Sequence, residues 1–115
     1  MEAFSVTTEF RPPWKVITVE GALDFDTEGA FRSIVEAVVH QAPPRLLFDL
    51  TDVTFIDHRG VDVIRDAYYA LGSDDRVAVC GLGPHIQKVF ILLGLVGRIP
   101  TYPTRYDAIV YGGLD

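Results

Sequence analysis

Leu46, Leu47, Phe48 and Leu50 form a nearly continuous apolar run broken only by Asp49. That is the pattern of a short strand covered on both faces, as in a parallel sheet. Thr51 and Asp52 predict a turn, after which Val53, Phe55 and Ile56 return to apolar contact and stop at Asp57. There the period changes. Val61, Ile64, Tyr68 and Leu71 recur at three- and four-residue steps and make one apolar stripe of a helix, with Asp62, Arg65, Asp66 and Tyr69 off it. Asp57 suits the N-cap, because its carboxylate can accept the amide of Arg59 or Gly60 and its charge complements the positive end of the helix dipole. The stretch 46–71 therefore reads as strand, turn and amphipathic helix, and the helix N-terminus points outward.

The flanking sequence extends this alternation. Phe4 to Phe10 and Trp14 to Val19 alternate on either side of Arg11, Pro12 and Pro13, which predicts an antiparallel hairpin whose first strand is a sheet edge. Gly21 is expected to end the second strand, with Thr27 as N-cap of a helix that buries Phe31, Ile34, Val35 and Val38 and stops at Gln41 to Pro44. Beyond Leu71, Gly72 to Asp75 predict a turn into Val77 to Cys80, a second buried parallel strand. Pro84 opens a third helix with Ile86, Val89, Phe90 and Leu93 inward and Gly94 at its end. A weak strand from Arg98 to Tyr102 and a short helix from Thr104, in a capping box with Asp107, to Tyr111 complete the chain, and a tail from Gly112 to Asp115 should fray. The order β-β-α-β-α-β-α-β-α is that of an α/β domain with a small mixed sheet flanked by helices.

At 115 residues the chain has room for one domain, with a core expected over about residues 4–111. Sixteen acidic against ten basic residues give a net charge of −6, the wrong sign for nucleic acid or an anionic membrane, so the partner class is protein. No apolar run approaches the roughly 20 residues of a membrane span, and Met1 to Phe10 lacks the basic start and apolar core of a signal peptide. The expected location is cytoplasmic. A single Cys80 inside an apolar strand fits a reducing compartment and an inert thiol.

In an open α/β sheet the loops leaving the carboxyl ends of the strands carry function. Those are Gly21 to Thr27, Thr51 to Gly60 and Gly81 to His85. The phrases DLTDVTFIDHRG, GALDFDT and GPHIQKVFILLGL, in register over nearly the whole chain, resemble the STAS family, whose bacterial members include the anti-sigma factor antagonists. The resemblance implies a non-enzymatic module that binds an anti-sigma factor with a histidine-kinase-like ATP-binding fold and so frees a sigma factor. In the antagonists, phosphorylation of a serine just after an aspartate breaks the complex. It also implies a partner-binding set of Asp24, Asp57, His58, Arg59, Gly60, Asp62, Val63, Asp66 and Gly83, with His58 at the phosphoacceptor position. There the sequence departs from the family. Where the family commonly reads Asp-Ser-Ser-Gly or Asp-Ser-Thr-Gly, this chain reads Asp57, His58, Arg59, Gly60, so both hydroxyls are gone.

Sharper chemistry for these residues meets plainer readings. His58 beside Asp57 suggests a phosphohistidine or a base, but adjacent residues at a helix start project in different directions and no Ser or Cys nucleophile sits in the segment. An exposed, idle histidine is expected. His40 and His85 have no metal-ligand spacing with it, so neither a metal nor a cofactor is expected. The Gly81-Leu82-Gly83 turn lacks the third glycine and the Lys-Ser/Thr pair of a phosphate loop. Two cations opposing the helix dipole leave one alternative from another class, a ligand-sensing or assembly module in which His58 and Arg59 hold a nucleotide or other anion. Gly60 is either the family's close-approach glycine, admitting the partner's backbone, or only a flexible first-turn residue, and the former is the expectation.

Overall fold

The structure, a computed structural model, describes residues 3–72 and 76–112. Among them the elements follow as β1 (Ser5–Arg11), β2 (Trp14–Leu23), α1 (Glu28–His40), β3 (Arg45–Ile56), α2 (His58–Leu71), β4 (Val77–Cys80), α3 (Pro84–Leu92), β5 (Thr101–Tyr102) and α4 (Arg105–Tyr111). The strands lie in the order β1-β2-β3-β4-β5, with β1 antiparallel at one edge and the others parallel. The mixed sheet, the edge hairpin and the element order match the sequence reading. Residues 73–75 of the predicted Gly72 turn, and 113–115 of the predicted tail, lie outside the described residues.

The period of two along each strand sorts side chains between two unequal layers. On one face Ile17 and Val19 of β2, Leu46, Phe48 and Leu50 of β3, and Val77 and Val79 of β4 meet α1, α2 and α3 in the main core. Phe31 of α1 contacts Phe48 edge-on, with ring centroids 6.0 Å apart. On the other face Trp14, Val16, Leu47, Ala78 and Cys80 form a smaller cluster closed by Ala108 of α4.

Four expectations change at element ends. Thr51 and Asp52 do not turn the chain: β3 runs unbroken to Ile56, because its outer half still pairs with β2 through Glu20↔Asp52, Gly21↔Val53, Ala22↔Phe55 and Leu23↔Ile56. For the same reason β2 does not end at Gly21 but continues to Leu23, across two register shifts. The last strand is only Thr101–Tyr102, preceded by an isolated bridge between Val96 and Ile99. Leu93 falls just past α3, whose buried residues are Ile86 and Phe90.

The smaller layer holds a group that sequence periodicity did not reveal. Asp49, the break in the apolar run, is 6% exposed. Its carboxylate accepts the Thr51 amide at 3.0 Å, the Thr51 hydroxyl at 2.6 Å and Arg105 Nε at 2.9 Å. Arg105 also donates to Glu9 of β1 and to the Thr18 hydroxyl of β2, so one guanidinium at the start of α4 fastens three strands. Burial works to raise the Asp49 carboxyl, but the Thr51 and Arg105 bonds outweigh it and hold the group below its usual range. The Cys80 thiol is pushed up to about 12, first by burial and then by the Asp49 charge and hydrogen bond. That thiol stays protonated and inert.

Candidate functional site

The site is the rim where β2 and β3 leave the sheet together. The Asp57 amide donates to the Leu23 carbonyl at 3.1 Å, which ties the start of α2 to the end of β2. Asp57 caps α2 as expected. Its Oδ1 accepts the Arg59 amide at 2.9 Å and its Oδ2 accepts the Arg59 guanidinium at 3.1 Å. Both carboxylate oxygens are thus engaged by Arg59, which supports the plain reading of His58: an exposed side chain at the first turn of α2.

On the neighbouring loop Asp24 organises the turn into α1. Its Oδ1 accepts the amides of Asp26 at 2.9 Å and Thr27 at 3.3 Å, an Asx turn. Thr27 occupies the N-cap of α1, but its hydroxyl does not cap the helix. It accepts the Asp24 amide at 3.0 Å and donates to the Ala22 carbonyl at 2.7 Å. Removing that hydroxyl strands two backbone groups. Thr27→Val is expected to lower stability by about 1–2 kcal/mol in a urea titration, and an unchanged midpoint would mean that the loop holds itself without the threonine.

Two aromatic residues complete the rim. Phe25, between Asp24 and Asp26, is 73% exposed, and the Arg59 guanidinium carbon lies 5.2 Å from its ring centroid. Phe55 was expected in apolar contact but is 43% exposed. Its ring stacks on His85 at the start of α3, with centroids 6.1 Å apart. Sequence parity could have flagged it, since Phe55 and Ile56 are consecutive in a strand and cannot both face the core.

The expected partner set divides. Asp24, Asp57, His58 and Arg59 converge on the rim, and Gly83, exposed at the N-cap of α3, stands beside His85. Asp62 is one turn down α2 and paired with Arg65 at 2.7 Å. Asp66 is a further turn down and paired at 2.9 Å with Arg32, which also holds Glu28, so it belongs to the α1–α2 seam. Val63, expected as a contact residue, is 1% exposed, and its side chain faces the core. Gly60 is likewise buried. A Cβ there would stand 2.9 Å from both Ile56 Cγ1 and Leu23 Cβ, so the glycine admits close packing of α2 on the ends of β2 and β3. The close approach is made by the protein's own core. Gly81 works similarly at the end of β4: its φ is +76°, and a Cβ there would run into Thr51.

Among the described residues no group of three or more His, Cys, Asp or Glu is arranged to hold a metal ion. Nor, among the described residues, is any helix long and apolar enough to cross a membrane.

Comparisons with known proteins bear on the fold and the family. A crystal structure of an anti-sigma factor antagonist from Mycobacterium paratuberculosis is similar with a TM-score of 0.87 and 31% identity, over 93% of this chain and 92% of that one. An anti-sigma-F factor antagonist, RsfB, of Mycobacterium tuberculosis is 25% identical over 114 residues, 97% of this chain and 93% of the relative. A Thermotoga maritima protein described as a putative anti-sigma factor antagonist shares the fold at a TM-score of 0.81 and 16% identity, over 90% of this chain and 91% of that one. The family model of the STAS domain matches residues 5–108, from the first strand into α4, and the chain belongs to the STAS domain family.

Proposed function

We propose that this protein is a non-enzymatic anti-sigma factor antagonist that docks its Asp24–Asp57–His58–Arg59 rim, with Gly83, onto a kinase-like anti-sigma factor and so frees a sigma factor. The observation that carries the reading is the capped start of α2. Asp57 is fixed by its own helix, and the next residue stands exposed at the point where the family's phosphoacceptor resembles this position. The names of the relatives supply the partner class.

With His58 and Arg59 in place of hydroxyls, serine phosphorylation cannot generate the like-charge cluster that releases the family's partner. The reading is therefore of an antagonist whose complex persists. An anion site at His58 and Arg59 is less favoured, because Asp57 already holds the Arg59 amide and one guanidinium nitrogen and its charge would repel an incoming anion.

The test places a fixed negative charge at the switch position. His58→Asp should weaken binding to the anti-sigma factor at least about tenfold, since a like charge beside Asp57 at an interface is costly, whereas His58→Ala should bind as the wild type does. Calorimetry with circular dichroism on each variant reads both affinity and fold. Equal affinity for the aspartate variant would remove this rim from the interface, and a thermal shift with nucleotide alone would favour the anion site.

A further inference from the structure

The rim is cross-braced by two aromatic contacts that join its three loops. Phe25, from the β2–α1 loop, lies against Arg59 at the start of α2, and Phe55, at the end of β3, lies against His85 at the start of α3. The two residues stand on neighbouring chain segments, because Ala22↔Phe55 and Leu23↔Ile56 are paired and Phe25 is two residues past Leu23. Each ring is large, exposed and held by a neighbour. It therefore offers apolar area whose conformational entropy is already partly spent.

The charge around the rings is unevenly satisfied. Arg59 and Arg65 are engaged by Asp57 and Asp62, which leaves the carboxylates of Asp24 and Asp26 on either side of Phe25 without an equal number of cations in that loop. A ring flanked by carboxylates is a poor surface for self-association or for an acidic partner, and suits an apolar pocket with a basic surround.

We infer that Phe25 and Phe55 are the paired anchors of the docking rim, fitting two apolar pockets on the partner protein, the one that takes Phe25 having a basic surround. This rests on the docking reading given above. It assigns the binding energy to two residues outside the expected partner set, with His58 contributing control more than affinity.

The experiment titrates the wild type, Phe25→Ala, Phe55→Ala and the double variant into each anti-sigma factor of the protein's own genome, purified with ATP, at low and physiological salt. Phe10→Ala is the control, because Phe10 is also exposed but lies at the far end of β1. Each rim substitution is expected to weaken binding at least about tenfold, as truncated anchor residues do, with melting temperatures close to wild type. Phe10→Ala should stay within about twofold, and wild-type affinity should fall as salt rises. If the wild type binds and the rim variants bind equally well, or if Phe10→Ala weakens binding as much, the anchor assignment is wrong while the docking reading stands. If the wild type binds none of the anti-sigma factors, both fall together.

Discussion

Arg105→Ala is expected to destabilise the domain by about 3 kcal/mol, at the lower end of the range for breaking a buried pair because the Arg105 side chain keeps some contact with solvent. The main effect is expected at Asp49. That carboxylate would keep its Thr51 bonds but lose the only cation that reaches it among the described contacts. Glu9 and Thr18 would also lose their bonds to α4. Arg105→Lys should recover part of the loss, since an ammonium restores charge but not the fork that reaches three strands. The same group predicts an acid response. The Asp49 carboxyl is lower in the folded protein than its usual 3.8, so its stabilisation is fully present above that value and disappears as pH falls through the lower folded value. Urea titrations across that window should show wild-type stability falling with pH more steeply than that of Asp49→Asn. Parallel pH profiles would mean that Asp49 is not held by its partners.

Gly60→Trp is expected to unfold the domain, at a cost beyond about 4 kcal/mol, rather than to block docking from a folded state. Even a Cβ at position 60 meets Ile56 and Leu23 at 2.9 Å, and these residues end the two strands that carry the rim. The indole would have to displace α2 from the sheet. Gly60→Ala should already cost about 1–3 kcal/mol, the usual penalty for an overfilled core. Melting curves of both variants decide the matter. A folded Gly60→Trp with ordinary stability would return the glycine to the surface and restore its expected role as an approach point for the partner.

What the sequence disclosed and what it hid follow from the range of the interactions involved. Periodicity located the helices and the edge hairpin, because an apolar stripe or alternation is written in neighbouring residues. The N-cap Asp57 and the Thr104 cap were equally local, and Thr104 Oγ1 does accept the Asp107 amide at 3.1 Å. Asp49 looked like a flaw in a strand because its partner lies 56 residues away in the short last helix. Val63 looked free for a partner because the apolar arc of α2 is wider than one stripe: a second helix, α1, packs beside it and takes Val63 and Ala67 into the core. The burial of Gly60 has a related cause, since a tight contact between a helix and two strand ends leaves no trace in a single segment. Phe25 leaves a fainter trace, a large ring between two carboxylates in a loop.

The central claim, an antagonist that stays on its partner because the phosphoacceptor is missing, is tested most directly by one incubation. Wild type, His58→Ser and His58→Ala are each mixed with the anti-sigma factor and ATP, and intact mass and complex are followed together at neutral pH. The account predicts an unmodified wild type and a retained complex, with release regained by His58→Ser if the kinase-like partner still accepts the segment. An acid-labile phosphate on wild-type His58, accompanied by release of the partner, would contradict it.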